Sequence, residues 1–122
     1  FYYRSAIIEI NIENLKRGGN MENKILRKMF LAFMRIHILY HAKKEPFFGL
    51  WMIDELKSHG YEVSSGTIYP ILHSMEADGI LSSEEKTIDG KVRKYYSLTD
   101  KGDEVLTEVK AKTKELSQEI ME

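Results

Sequence analysis

Hydroxyl-bearing side chains stand close together at Ser64, Ser65, Thr67 and Tyr69, and a basic cluster follows at Lys86, Lys91, Arg93 and Lys94. Hydroxyls donate to phosphate oxygens and reach base edges, lysine and arginine neutralise phosphates, and arginine also enters a narrow minor groove. His73, between the two sets and isolated in the sequence, suits groove contact or solvent better than catalysis. His37 and His41 are four apart, a spacing that puts two imidazoles on one helix face and can hold a metal. No adjacent Glu makes that pair catalytic, so structural or interfacial packing is the plainer reading, and His59 stands alone. No nucleophile–base–orienter pattern, phosphate-cradling glycine loop or paired-carboxylate arrangement is present. An enzyme is therefore not expected, and neither a cofactor nor a metal is assigned.

The hydroxyls and cations need elements to carry them. Between Glu22 and Ala42, Ile25, Met29, Ala32, Phe33, Ile36, Leu39 and Tyr40 follow the three-and-four spacing of an amphipathic helix. Leu26, Phe30, Leu31, Met34 and Ile38 are apolar too, so this helix should make contacts on more than one side. Pro46 ends it, because a residue before proline avoids helical geometry. Gly49 opens a second helix, with Leu50, Ile53 and Leu56 as its inner face and Gly60 as its stop. After the turn Gly60-Tyr61-Glu62-Val63, a third helix begins at Ser64 or Ser65, either of which can cap it, and buries Ile68, Ile71, Leu72 and Met75. Pro70 is comfortable only in a first turn, which predicts that this helix starts late or is irregular near Tyr69.

The period then changes. Asp89-Gly90 is a strong hairpin signal between Leu81 and Leu98, and Val92, Tyr95, Tyr96 and Leu98 suit a strand. Thr99 caps a last helix, with Asp100, Asp103 and Glu104 near its positive end. Leu106, Val109, Thr113, Leu116 and Ile120 then recur at alternating steps of three and four, a coiled-coil-like seam. The seam meets either a partner subunit or the first helix of its own chain. So small a core gains from oligomerisation, which favours the partner. Trp51 fits a core or interface anchor, or a ligand-pocket wall.

Two helices joined by a tight turn and followed by a hairpin form a winged helix-turn-helix, with the third helix placed to enter the major groove and the hairpin as the wing. At this point the sequence resembles a family. The run Ser64 to Leu81, with Gly66-Thr67-Ile68-Tyr69-Pro70 at its head, is similar to the signature of PadR-like transcriptional regulators, as are Phe48-Gly49 and the Tyr95-Tyr96-Ser97-Leu98-Thr99 element that leads to Gly102. The resemblance covers residues 21–122. It implies a homodimer on palindromic operators, usually a repressor. It also implies recognition through the third helix and wing, dimerisation through the first and last helices, and release by a small molecule bound near the dimer interface. The departures are Ser65 for a frequent proline, Ser74 for an arginine, Val92 for a wing proline and Phe48 for a tyrosine; Ser74 removes one DNA or salt-bridge contact.

The expected class is therefore mainly α with a small β-hairpin. A winged helix-turn-helix domain spans 21–98, a dimerisation helix spans 99–122, and 1–20 form an N-terminal extension. Met21 resembles a start, and the codons for Lys16-Arg17-Gly18-Gly19-Asn20 would be purine-rich like a ribosome-binding site, so the extension is either foreign to the natural chain or a genuine helix or strand built on Ile7, Ile8, Ile10, Ile12 and Leu15. The 122 residues carry a net charge of −1, so DNA binding has to rest on local charge. That neutrality, with Ser74, keeps a protein-interaction module or a metal-responsive sensor as alternatives. Cysteine is absent, which excludes disulfides and Cys-based zinc sites and fits a reducing cytoplasm. The longest apolar run, Met29 to Met34, is too short to span a bilayer. The expected partners are double-stranded DNA, a second copy of the chain and a small-molecule effector, with no membrane.

Overall fold

The structure is a computed structural model that describes residues 7–17 and 20–122. The remaining residues of the 1–20 segment lie outside this description. The order is β1 (Ile10–Asn11), α1 (Ile12–Arg17), α2 (Met21–Lys44), β2 (Phe47–Phe48), α3 (Gly49–Ser58), β3 (Tyr61–Glu62), α4 (Ser65–Ala77), β4 (Leu81–Ile88), β5 (Lys91–Leu98) and α5 (Asp100–Ile120).

Local chemistry sets most of these bounds. Asn20 caps α2 by accepting from the Asn23 amide at 2.8 Å, and Glu45, held extended before Pro46, ends it. Asp89 and Gly90 both have positive φ, 53° and 76°, so the wing closes through a two-residue turn of the mirror-image kind that matches strand twist. That turn fixes the register, pairing Ile88 with Lys91 and Leu81 with Leu98. The Thr99 hydroxyl accepts from the Gly102 amide at 3.0 Å and starts α5.

The sheet holds one strand more than the hairpin. Phe47 and Phe48 pair antiparallel with Tyr96 and Tyr95, giving the order β2-β5-β4. A separate parallel pair joins β1 to β3, with Ile10 opposite Tyr61. The core gathers where α2, α3 and α4 meet this sheet, around the fully buried Met34, Ile38, Met52, Leu72, Leu81 and Tyr96. Each such side chain stabilises the fold by about 2 kcal/mol through removal of apolar surface from water. Ile12 of α1 is also fully buried in this core.

Three expectations about faces and ends need correction. In α2 the core takes Met34, Ile38, Leu39 and Ala42, whereas Ile25, Met29, Phe33 and Tyr40, each about half exposed, form a bare stripe. Both stripes are apolar, and the position of α2 over the sheet decides between them. In α3 Met52 rather than Leu50 points inward, because the β2–β5 pairing fixes how the helix starts; Leu50 is 58% exposed. α4 starts at Ser65 and runs through Pro70 without a break, so it neither starts late nor loses its helical course at Tyr69.

Candidate nucleic-acid interface

α4 presents Ser64, Ser65, Gly66, Pro70, His73 and Ser74 to solvent while Ile68, Ile71, Leu72 and Met75 anchor it from behind. Ser64 occupies the N-cap position with extended backbone, but its hydroxyl makes no capping bond; its carbonyl accepts from the Thr67 and Ile68 amides. The Ser64 side chain instead helps to stabilise the Glu13 carboxylate.

Thr67 does not join this surface. It is buried, and its hydroxyl donates to Glu13 Oε2 at 2.7 Å. Glu13 also accepts from the Ser64 amide at 3.4 Å, and the Thr67 hydrogen bond, the largest influence on it, holds its carboxyl below the usual carboxylate value. Thr67 is thus a tie between α1 and the head of α4 rather than a DNA contact. Thr67→Val should lower stability by about 1 kcal/mol, seen in thermal unfolding, while leaving DNA affinity at the wild-type value. A loss of affinity with unchanged stability would return Thr67 to the interface.

Tyr69 is half-buried at the junction of α4 and the wing. Its ring lies against Gly49, where even a Cβ would come within 2.5 Å of the ring carbon Cε1. This close approach accounts for the Phe48-Gly49 pair in the sequence. A shallow depression lined by Phe48, Gly49, Tyr69, Val92, Arg93 and Lys94 brings α4 and the β4–β5 hairpin together.

The four wing cations differ in their surroundings. Lys86 lies 3.4 Å from Glu84 and Lys94 lies 3.4 Å from Glu76, whereas Lys91 and Arg93 have no carboxylate at ion-pair distance among the described residues. The Arg93 guanidinium sits over the Phe48 ring at 4.2 Å, which holds it against the wing face. Exposed pairs such as those of Lys86 and Lys94 contribute at most about 1 kcal/mol, so a stronger anion displaces them readily.

The seam of α5 divides. Leu106 is buried in the chain's own core and so is not available to a partner. Val109 is half-buried, and Thr113, Leu116 and Ile120 are exposed, with every residue from Lys110 onward exposed. Between α2 and α5 lies an apolar cleft of about 830 Å³, walled by Phe33, Ile36, His37, Tyr40, Leu106 and Thr113. Trp51 is 37% exposed and covers Phe47 and His41, so it is a lid on the core edge rather than a core anchor. His59, isolated in the sequence, stacks on His37 with ring centroids 4.4 Å apart. No helix among the described residues is long and apolar enough to cross a membrane.

Comparison with known proteins matches this architecture. The signature of the transcriptional regulator PadR-like family fits residues 38–108. The transcriptional regulator Rv3488 of Mycobacterium tuberculosis is 44% identical over 96 residues, covering 79% of this chain and 90% of that protein. The crystal structure of a PadR-like transcriptional regulator from Bacillus cereus is 34% identical, with a TM-score of 0.72, and covers 76% of this chain and 92% of that one. A PadR-like transcription factor from Bacteroides fragilis is also 34% identical, with a TM-score of 0.68, covering 80% and 95%. This chain, a winged helix with the motif residues at its wing and helix junctions, belongs to the PadR-like family of transcriptional regulators, which are not enzymes.

Proposed function

We propose that the chain is a repressor that binds a palindromic operator as a homodimer. In this reading the outer face of α4, with Ser64, Ser65 and His73 exposed and Tyr69 half-buried, enters the major groove. Lys91 and Arg93, helped by Lys86 and Lys94, grip the flanking phosphates and minor groove. The observation that carries it is the meeting of Tyr69 with Arg93 and Lys94 in one depression, so that helix and wing form a continuous surface holding the unpaired Arg93. The repressor sense and the palindrome follow the family resemblance.

Dimerisation is supported by the two bare apolar stripes: Ile25, Met29, Phe33 and Tyr40 on α2, and Leu116 and Ile120 on α5. Exposed apolar surface arranged as stripes on two helices marks a protein–protein contact. The cleft between the same helices suits a small, largely apolar effector.

Footprinting on the chain's own promoter region, with selection of bound DNA from a random pool, tests the reading, and a protected palindrome is the expected result. Failure to enrich any sequence would favour the protein-interaction module, which the paired state of Lys86 and Lys94 supports. The wing adds a finer test. Lys91→Ala should weaken binding to all DNA sequences alike and reduce the slope of log affinity against log salt by about 1. An unaltered slope would take Lys91 out of the contact set.

A further inference from the structure

We propose that His37, His41 and His59, with Glu55 beside them, form a binding site for a divalent transition-metal ion of the zinc, cobalt and nickel class. The site is built from two helical pairs that face each other. His37 and His41 are one turn apart on α2; Glu55 and His59 are one turn apart on α3 and its C-cap. One ring nitrogen from each of the three histidines lies within 4.8 Å of the others. Glu55 Oε2 lies 3.1 Å from His59 Nε2 and 3.4 Å from His41 Nε2. Ligand atoms ~2.0–2.1 Å from a tetrahedral ion are about 3.3 Å apart. The Glu55 contacts already have that spacing, and the imidazoles need to close by up to about 1.5 Å to share a centre.

Packing alone does not explain this arrangement. The His41 side chain is 12% exposed, and its Nε2 is buried without a hydrogen-bond partner. The polar group beside it is the Glu55 carboxylate at 3.4 Å, and an ion among the three imidazoles would be shared by both. Tyr61 stands edge-on to His37 and Trp51 edge-on to His41, so aromatic walls hold the rings in place. His37 and His41 are both partly buried, which disfavours the charged imidazolium that could not bind an ion. Imidazole with one carboxylate selects zinc, cobalt, nickel or copper over magnesium and calcium. His37 and His59 line the α2–α5 cleft, which gives the ion a route from solvent.

An ion here would tie α2 to α3, the helix that precedes the recognition helix. The test uses the tag-free full chain and needs no DNA, so it is independent of the repressor reading. Cobalt(II) titration followed by visible absorption should give the intense band of a tetrahedral site at one ion per chain, and zinc should displace it. Zinc should also raise the thermal midpoint. His59→Gln, at the exposed end of α3, should keep the metal-free midpoint and weaken cobalt binding by roughly 100-fold or more, and Glu55→Gln by about 10-fold or more. His37→Gln serves as a second ligand variant. Absence of the band and of any zinc-dependent shift in the wild type would overturn the proposal. So would equal binding by the wild type and both folded histidine variants, since the ion would then be held elsewhere.

Discussion

Gly102→Ala is expected to lower the thermal midpoint by roughly 10 °C. Gly102 is buried in the first turn of α5. A Cβ there would fall well inside contact distance of the Ile80 carbonyl oxygen and within 2.6 Å of Leu98 Cδ1. Neither neighbour can retreat easily. The Ile80 carbonyl accepts from the Thr99 amide at 3.1 Å and from the Thr99 hydroxyl at 3.0 Å, and the Ile80 amide donates to Met75 at 2.9 Å. Any shift would also stretch the Gly102–Thr99 cap. Overpacking costs about 3 kcal/mol and the cap about 1 kcal/mol, against about 1 kcal/mol gained from alanine's helix propensity, leaving a net loss of about 3 kcal/mol. Thermal unfolding followed by circular dichroism measures it. A midpoint within a degree of wild type would mean that the Ile80–Thr99 junction yields.

In the homodimer proposed above, the double change Leu116→Glu with Ile120→Glu is expected to give a monomer and to weaken operator binding by at least about 100-fold, because each half-site would then bind alone. Leu116 is 50% and Ile120 60% exposed, so neither supports the fold of the single chain, and the metal-free domain should keep its helical spectrum apart from α5. An unpartnered helical end of this length is marginal in water, so the distal turns of α5 should lose helicity together with the partner. Sedimentation and gel-shift titration check the two limbs. A variant that stays dimeric would move the interface off α5 and onto the α2 stripe alone.

Legibility in the sequence followed the range of the interactions. The wing was readable residue by residue, because Asp89-Gly90 decides its turn from backbone geometry within two positions. Thr99 and the buried face of α4 were readable for the same reason. The inward face of α2 was not, since Met34 and Met29 belong to equally apolar stripes and only the packing of the sheet distinguishes them. β1, β2 and β3 are two residues long, too short to show a period, and the β1–β3 pair joins residues some fifty positions apart. The site divides in the same way. The exposed head of α4 and the wing cations followed from element positions, but the burial of Thr67 depends on Glu13, 54 residues away. His59 looked solitary because its neighbours come from α2. The spacing of Glu55 and His59, four apart on the end of a helix, was the one signal that could have found it.

Pro70 has a consequence for motion. It lies inside α4, and without an N–H it cannot donate to the Gly66 carbonyl, so the hydrogen-bond ladder has a missing rung one turn after the helix begins. Ser65 and Gly66 alone lie ahead of the pinned part of the helix, because Thr67 and Ile68 are buried together with Ile71, Leu72 and Met75. In amide exchange the exposed Ser65 and Gly66 would exchange fast and the buried turns behind them slowly. The exposed hydroxyl at the head of the helix would then move on a timescale separate from that of the fold that holds it.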